Sequence, residues 1–333
     1  MKQKTTGVHG KRGQISRMSS SLVLKKKKKI TKTQLLRAIF IISFISIPII
    51  HFIIFTLYVN ADTVLLSFER FDLQTRKYRW VHFENYIEFF EGFNKPGSVF
   101  AKAIRNSILF FLLNDFVILP LSFIFAFFMY KKIPFANGYR IIFYLPSIIS
   151  PVVLTMLFSF MFDSSIGIVD SLLRVLGLGA KIPELGWFGD SKTAMPILLV
   201  YCVWSGIGAN IVLISGAMSR IPQEIIEAGK LDGLSMFKEM IYITLPLTGS
   251  LLATLWMMGV PVIFTFFLTP MLITNGGPDG ETYTIAMYIV TSIRNDNNIT
   301  MGATVGVICA IVGTPIVVIL RKVIDRLFPA YEY

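Results

Sequence analysis

Apolar stretches of about 20 residues recur along this chain, each long enough to cross roughly 30 Å of hydrocarbon as an α-helix. They fall near 34–59, 106–130, 141–162, 195–217, 247–273 and 302–320. A backbone immersed in lipid must satisfy its own polar groups, which leaves helices or a closed barrel. A barrel would show weakly alternating strands of about 10 residues, and these stretches are continuously apolar instead. The expectation is an all-α polytopic membrane protein with six transmembrane helices. Composition agrees, with 54% of residues hydrophobic and 16% charged, against about 25% charged in soluble domains.

The net charge of +12 belongs to one end of the chain. Residues 1–37 carry 12 lysines and arginines and no acid, while the remainder balances at 20 basic and 20 acidic. A nucleic-acid binder needs a basic face on a folded module, so no nucleic-acid partner is expected. The tail reads as a disordered basic cytoplasmic segment, 1–33, that sets topology and meets anionic membrane lipids. Its long basic region and the apolar run of over 20 residues behind it do not read as a cleaved signal. Loop 131–140 holds Lys131, Lys132 and Arg140 without an acid, whereas loop 274–301 sets Arg294 against Asp279, Glu281 and Asp296. That bias places the N- and C-termini in the cytoplasm. The resulting organisation is a first transmembrane helix at 34–59, an extracytoplasmic region at 60–105, and a core at 106–325 with five helices. Segment 218–246 then lies on the cytoplasmic side, although its own charges would not place it there.

No phosphate-binding loop, CxxC or HExxH spacing occurs, and no nucleophile–base set appears in the apolar stretches. The chain is expected to be no enzyme, with no catalytic residue, metal or cofactor. Cys202 and Cys309 read as small packing residues, and His51 reads the same way. Pro146, Pro151, Gly206, Gly208, Gly259 and Pro261 concentrate irregular backbone in the third to fifth stretches. Such backbone is tolerated where neighbouring helices or an aqueous cavity satisfy it. Close packing and a pathway-lining role are both open readings there. Asn114-Asp115 sits inside the second stretch, where an ionisable group is a functional hypothesis by default. Alone it is compatible with a proton-coupled secondary transporter using Asp115, or with a structural pair facing the bundle interior.

Residues 227–246, EAGKLDGLSMFKEMIYITLP, interrupt the apolar pattern. Ile221-Pro222 marks a boundary, Gln223 to Lys230 favour a short helix, and Asp232-Gly233 can end it. A second helical stretch, Leu234 to Thr244, leads back to Leu245-Pro246. Glu227-Ala228-Gly229, then Asp232-Gly233, then Ile243-Thr244-Leu245-Pro246 resembles the coupling loop of bacterial ABC importer permeases, the binding-protein-dependent transport inner membrane component family. That family commonly has alanine where this chain has Gly229. Asn275-Gly276-Gly277-Pro278, a tight turn after an apolar stretch, is similar to the sugar-uptake branch, which includes maltose-type and glycerol-phosphate-type subunits. Further similarity lies at Phe83-Glu84-Asn85-Tyr86, Asn106-Ser107 and Tyr139-Arg140…Leu145-Pro146. The resemblance covers about residues 40–325.

The resemblance implies a type I ABC importer permease fold in a bacterial cytoplasmic membrane. It also implies two ABC ATPase subunits, a second homologous permease and an extracytoplasmic solute-binding protein. Carried over, Glu227, Ala228, Gly229, Asp232 and Gly233 form the ATPase-coupling loop. The cargo implied is a carbohydrate, an oligosaccharide rather than a single sugar. Positions matching the maltose-type site are Ser147, Pro151, Trp204, Ser205, Gly206, Ile263, Thr265 and Phe266. The fifth-helix asparagines of that site are absent here.

Overall fold

The computed structural model describes residues 32–72, 74–294 and 298–327. The basic tail lies outside the described residues except for Lys32 and Thr33, which already belong to a helix. Asp296 is also outside them.

The described residues fall into two units, divided after Asn60. The first contains α1 (Lys32–Phe52) and a π-helical turn, Ile53–Tyr58. Phe40, Phe44 and Ile47 are about 70% exposed, and a helix that is apolar all round belongs in a membrane. His51 leans on Phe55, with ring centroids 4.8 Å apart. With α2 (Val59–Leu66) the helical run Leu35–Leu66 is long and apolar enough to span.

The all-α expectation needs one correction. Strands β1 (Glu69–Asp72) and β2 (Lys77–Trp80) pair antiparallel, Glu69 opposite Trp80 and Asp72 opposite Lys77. Phe71 and Tyr78 meet across the strands at 5.2 Å, the kind of aromatic pair that stabilises a ribbon. The Asp72 carboxylate accepts the Gln74 N–H at 2.8 Å and nucleates the turn. That hydrogen bond holds its pKa below the usual carboxylate value.

After α3 (Glu84–Phe93), the second apolar stretch lies in a run formed by α4 (Val99–Leu113), a π turn (Asn114–Ile118) and α5 (Leu119–Tyr130). The helix starts at Val99, earlier than the apolar residues, because Lys102 and Arg105 are neutralised by Glu281. The third stretch is two helices, α6 (Ala136–Ile148) and α7 (Pro151–Met161), bent by 108°. Ile149 is extended and Ser150 precedes Pro151 at the first position of α7. Proline disfavours helical backbone at the preceding residue, and here Ile149 and Ser150 are both extended, which breaks the run into two helices.

Next come α8 (Ile168–Val175) and the long α9 (Ala194–Met218). The segment that follows holds α10 (Gln223–Leu231), α11 (Met236–Glu239), a π turn (Met240–Thr244) and α12 (Leu245–Leu247). The fifth stretch contains α13 (Gly249–Gly259), α14 (Val262–Thr265) and α15 (Leu268–Ile273). Met236–Leu247 and Gly249–Thr265 are bent by 72°. The described chain ends with α16 (Ile285–Arg294) and α17 (Ile299–Leu327). Among the described residues four helices can cross a membrane unaided, or up to six if each bent pair is one span.

The main core joins α5, α7, α9 and α13 through Phe123, Phe127, Leu154, Leu198, Ile211 and Leu252. A second cluster holds Phe89, Phe100, Ile263, Ile285, Met301 and Val305.

Candidate functional site

The segment between α9 and α13 presents a short helix with two unlike faces. Ile226 and Gly229 of α10 are buried, whereas Glu227, Ala228, Leu231 and Asp232 are exposed. Leu231 is 90% exposed, an apolar knob that the motif reading passed over because neighbouring residues carried the signature. Gly233 ends the helix at φ +75°. Its N–H donates to Lys230 O and the Leu234 N–H donates to Gly229 O, both at 3.0 Å. This is a glycine-terminated helix end, in which a Cβ would strain the backbone. A Cβ on Gly229 would stand 2.6 Å from Ile243 Cδ1 and 3.0 Å from Leu234 Cδ1, so the glycine lets α10 lie close to the π turn behind it. All five residues of the expected coupling loop are thus on or beside α10, four exposed and Gly229 buried beneath them.

A second construction joins motifs far apart in sequence. Asn106 Nδ2 donates to Glu281 O at 2.7 Å and Tyr283 O at 2.9 Å, and Ser107 Oγ accepts the Ile285 N–H at 3.0 Å. Lys102 and Arg105 pair with Glu281 at 2.8 and 2.7 Å. Hydrogen bonds from Lys102 and then Arg105 hold the Glu281 carboxyl below its ordinary pKa, against a smaller opposing effect of burial. Thr274 and Thr282 hydroxyls close the loop at 2.6 Å. Asn106-Ser107 therefore fastens the Asn275-Gly276-Gly277-Pro278 turn. Asn85 is a comparable staple, donating to Ser67 O and Glu69 O while accepting from Arg70.

The expected pathway residues separate into groups. Ser147 meets α9 at Gly208, where a Cβ would lie 2.3 Å from Phe143 O and 3.0 Å from Ser147 Oγ. Trp204 stacks on Phe158 of α7, the helix opened by Pro151, at 6.1 Å. Gly206 receives Ile118, whose Cδ1 would be 3.1 Å from an added Cβ. Phe266 packs on Phe110 at 4.7 Å. Ile263 is buried in the second cluster, apart from the Trp204 group. The hydroxyls of Ser147, Ser205 and Thr265 each donate to a carbonyl of their own helix.

Asp115 is 3% exposed. Its Oδ1 accepts from Asn114 Nδ2 at 2.8 Å, and its Oδ2 has no hydrogen-bond partner. Gly259 makes room for it, since a Cβ there would stand 1.8 Å from Oδ1. It also borders a cavity of about 490 Å³ shared by Leu119, Phe123, Met240, Ile241 and Leu245, flanked by the π turns Asn114–Ile118 and Met240–Thr244.

Residues 118–328 match the family model described as binding-protein-dependent transport system inner membrane component. The diacetylchitobiose uptake system permease protein of Streptomyces coelicolor is 27% identical over 83% of this chain and 79% of its own. The arabinooligosaccharides transport system permease protein of Bacillus subtilis is 23% identical over 79% and 82%. A solved chain from a bacterial ABC transporter involved in the import of the acidic polysaccharide alginate superposes with a TM-score of 0.76. It is 19% identical and covers 88% of this chain and 98% of that chain, a likeness that concerns the fold.

Proposed function

The chain belongs to the binding-protein-dependent transport system inner membrane component family, and from that premise we propose that it is one membrane subunit of an ATP-driven oligosaccharide importer. The observation that carries the reading is α10: a short helix, anchored through Ile226 and Gly229, that offers Glu227, Ala228, Leu231 and Asp232 outward. A loop that transmits force must be stiff and must dock, and the glycine-ended helix supplies stiffness while the exposed face supplies the dock. Two ATPase subunits, a second permease and a solute-binding protein complete the assembly in this reading. ATP binding closes the ATPase pair, the docked segments approach each other, and the membrane cavity turns outward to receive cargo.

The oligosaccharide class rests on the names of the relatives, diacetylchitobiose and arabinooligosaccharide permeases, and on the Asn275–Pro278 turn. In this reading each bent helix pair counts as one span, giving six, and the lysine and arginine bias of the loops supports placing both termini inside. The pathway is assigned to the exposed or half-buried Ser147, Pro151, Trp204, Ser205, Gly206, Thr265 and Phe266, with Ile263 supporting them from behind. In cells that depend on the importer for growth on an oligosaccharide, Glu227→Ala combined with Gly233→Asp should abolish uptake while the protein still reaches the membrane. Unchanged uptake would refute the assignment of this loop.

A further inference from the structure

Lys131 follows α5 and Glu239 closes α11, yet neither side chain behaves like a loop charge. Lys131 is 18% exposed and Glu239 6%, and they form an ion pair. The lysine Nζ also lies 5.6 Å over the Phe127 ring and 5.9 Å over Tyr130. Phe128 meets Phe237 edge-on at 6.3 Å beside them. Other ion pairs here, Arg70–Glu88 and Arg321–Asp325, are solvent-exposed and contribute little. Separating a buried pair leaves an uncompensated charge away from water, so the two elements that carry it are obliged to move together.

Just beyond Glu239 the two sides part around a cavity. The cavity beside Asp115 has Leu119 and Phe123 on one wall and Met240, Ile241 and Leu245 on the other. From Lys131, α5 leads back to Ser122, whose Oγ donates to Ile118 O at 2.6 Å and to Ile207 O at 3.3 Å. Ile118 in turn fills the space over Gly206. Contacts therefore run without a gap from Glu239 to the fourth-span residues assigned to the pathway.

We propose that Lys131 and Glu239 are positioning residues that convey displacement of the 223–239 segment to the second span and so to the pathway. The proposal rests on the importer reading above. The experiment uses the complex in lipid nanodiscs, with Ala209→Cys, an exposed position of α9 beside Gly208, in a background where Cys202 and Cys309 are serine. The probe is fluorescein maleimide, whose labelling rate is read with and without ATP and vanadate. Lys131→Glu, Glu239→Lys and the conservative Glu239→Gln should retain ATP hydrolysis but lose at least about fivefold of the nucleotide-dependent change in labelling. The exchange Lys131→Glu with Glu239→Lys should restore the change to within about twofold. A wild-type response in the single variants, or no recovery in the exchange, overturns the proposal. If no ATPase is recovered with the wild-type chain, the importer reading fails by itself. Hydrogen exchange at 236–244 in the lone chain then decides the pair: protection lost in the single variants and regained in the exchange supports it, and uniform protection overturns it.

Discussion

At the residue scale, the carboxylate of Asp115 is lodged where Gly259 leaves space. Gly259→Ala would put a methyl group on top of Oδ1, and overpacking of this kind costs about 1–3 kcal/mol. The thermal midpoint in detergent should fall for Gly259→Ala and largely recover when Asp115→Ala is added, because the second change removes the atoms in collision. Failure of that rescue would separate the two sites. Glu281 makes a different prediction, because its pKa is lowered in the folded state by Lys102 and Arg105. Its stabilisation is present above the ordinary glutamate pKa and is lost as pH falls through the lower, folded value. The gap in unfolding midpoint between the native chain and Glu281→Gln should thus be widest near neutrality and should close as pH falls from the ordinary glutamate value through the lowered, folded one. The sequence made Asp115 conspicuous, since a charge in an apolar stretch stands out. It could not reveal the partners of Glu281, because Lys102 and Arg105 read as loop residues until the fold brought them to it.

At the element scale, apolar length and proline position carried most of the information. Pro151 and the Asp232-Gly233 end of α10 could be read directly, because both act through local backbone geometry. The hairpin at 69–80 could not, since its strands are four residues each and mix charge with aromatics. Pro146 and Pro151 marked an interruption between α6 and α7 but not the 108° angle, for hydropathy records burial and not direction. Asn106 is the clearest element-level joint: one side-chain amide serves two carbonyls of the 275–284 turn. Asn106→Ala removes both hydrogen bonds and leaves buried acceptors unpaired, at a cost of about 1–3 kcal/mol. Limited proteolysis should then cut within 275–284 faster than in the native chain; an unchanged cutting rate would show that the turn holds itself.

At the scale of the whole molecule, a membrane chain whose helices expose apolar side chains such as Phe44, Ile47, Ile148 and Ile311 has its stability supplied in part by lipid. The Glu227–Pro246 motif lies in one loop, so the family was legible early. The positions proposed for the pathway were harder to read, because they are single residues scattered along the chain and a buried isoleucine such as Ile263 reads in sequence like an exposed one. The long-range pair Lys131–Glu239, separated by 108 residues, was invisible for the same reason. The most direct measurement of the central claim is recovery of the tagged chain in mild detergent, with mass spectrometry of what accompanies it and an assay of ATP hydrolysis. The account predicts a second multispan permease and an ATPase in the native sample, with the ATPase lost on Gly233→Asp. A stable chain that carries no ATPase would contradict it.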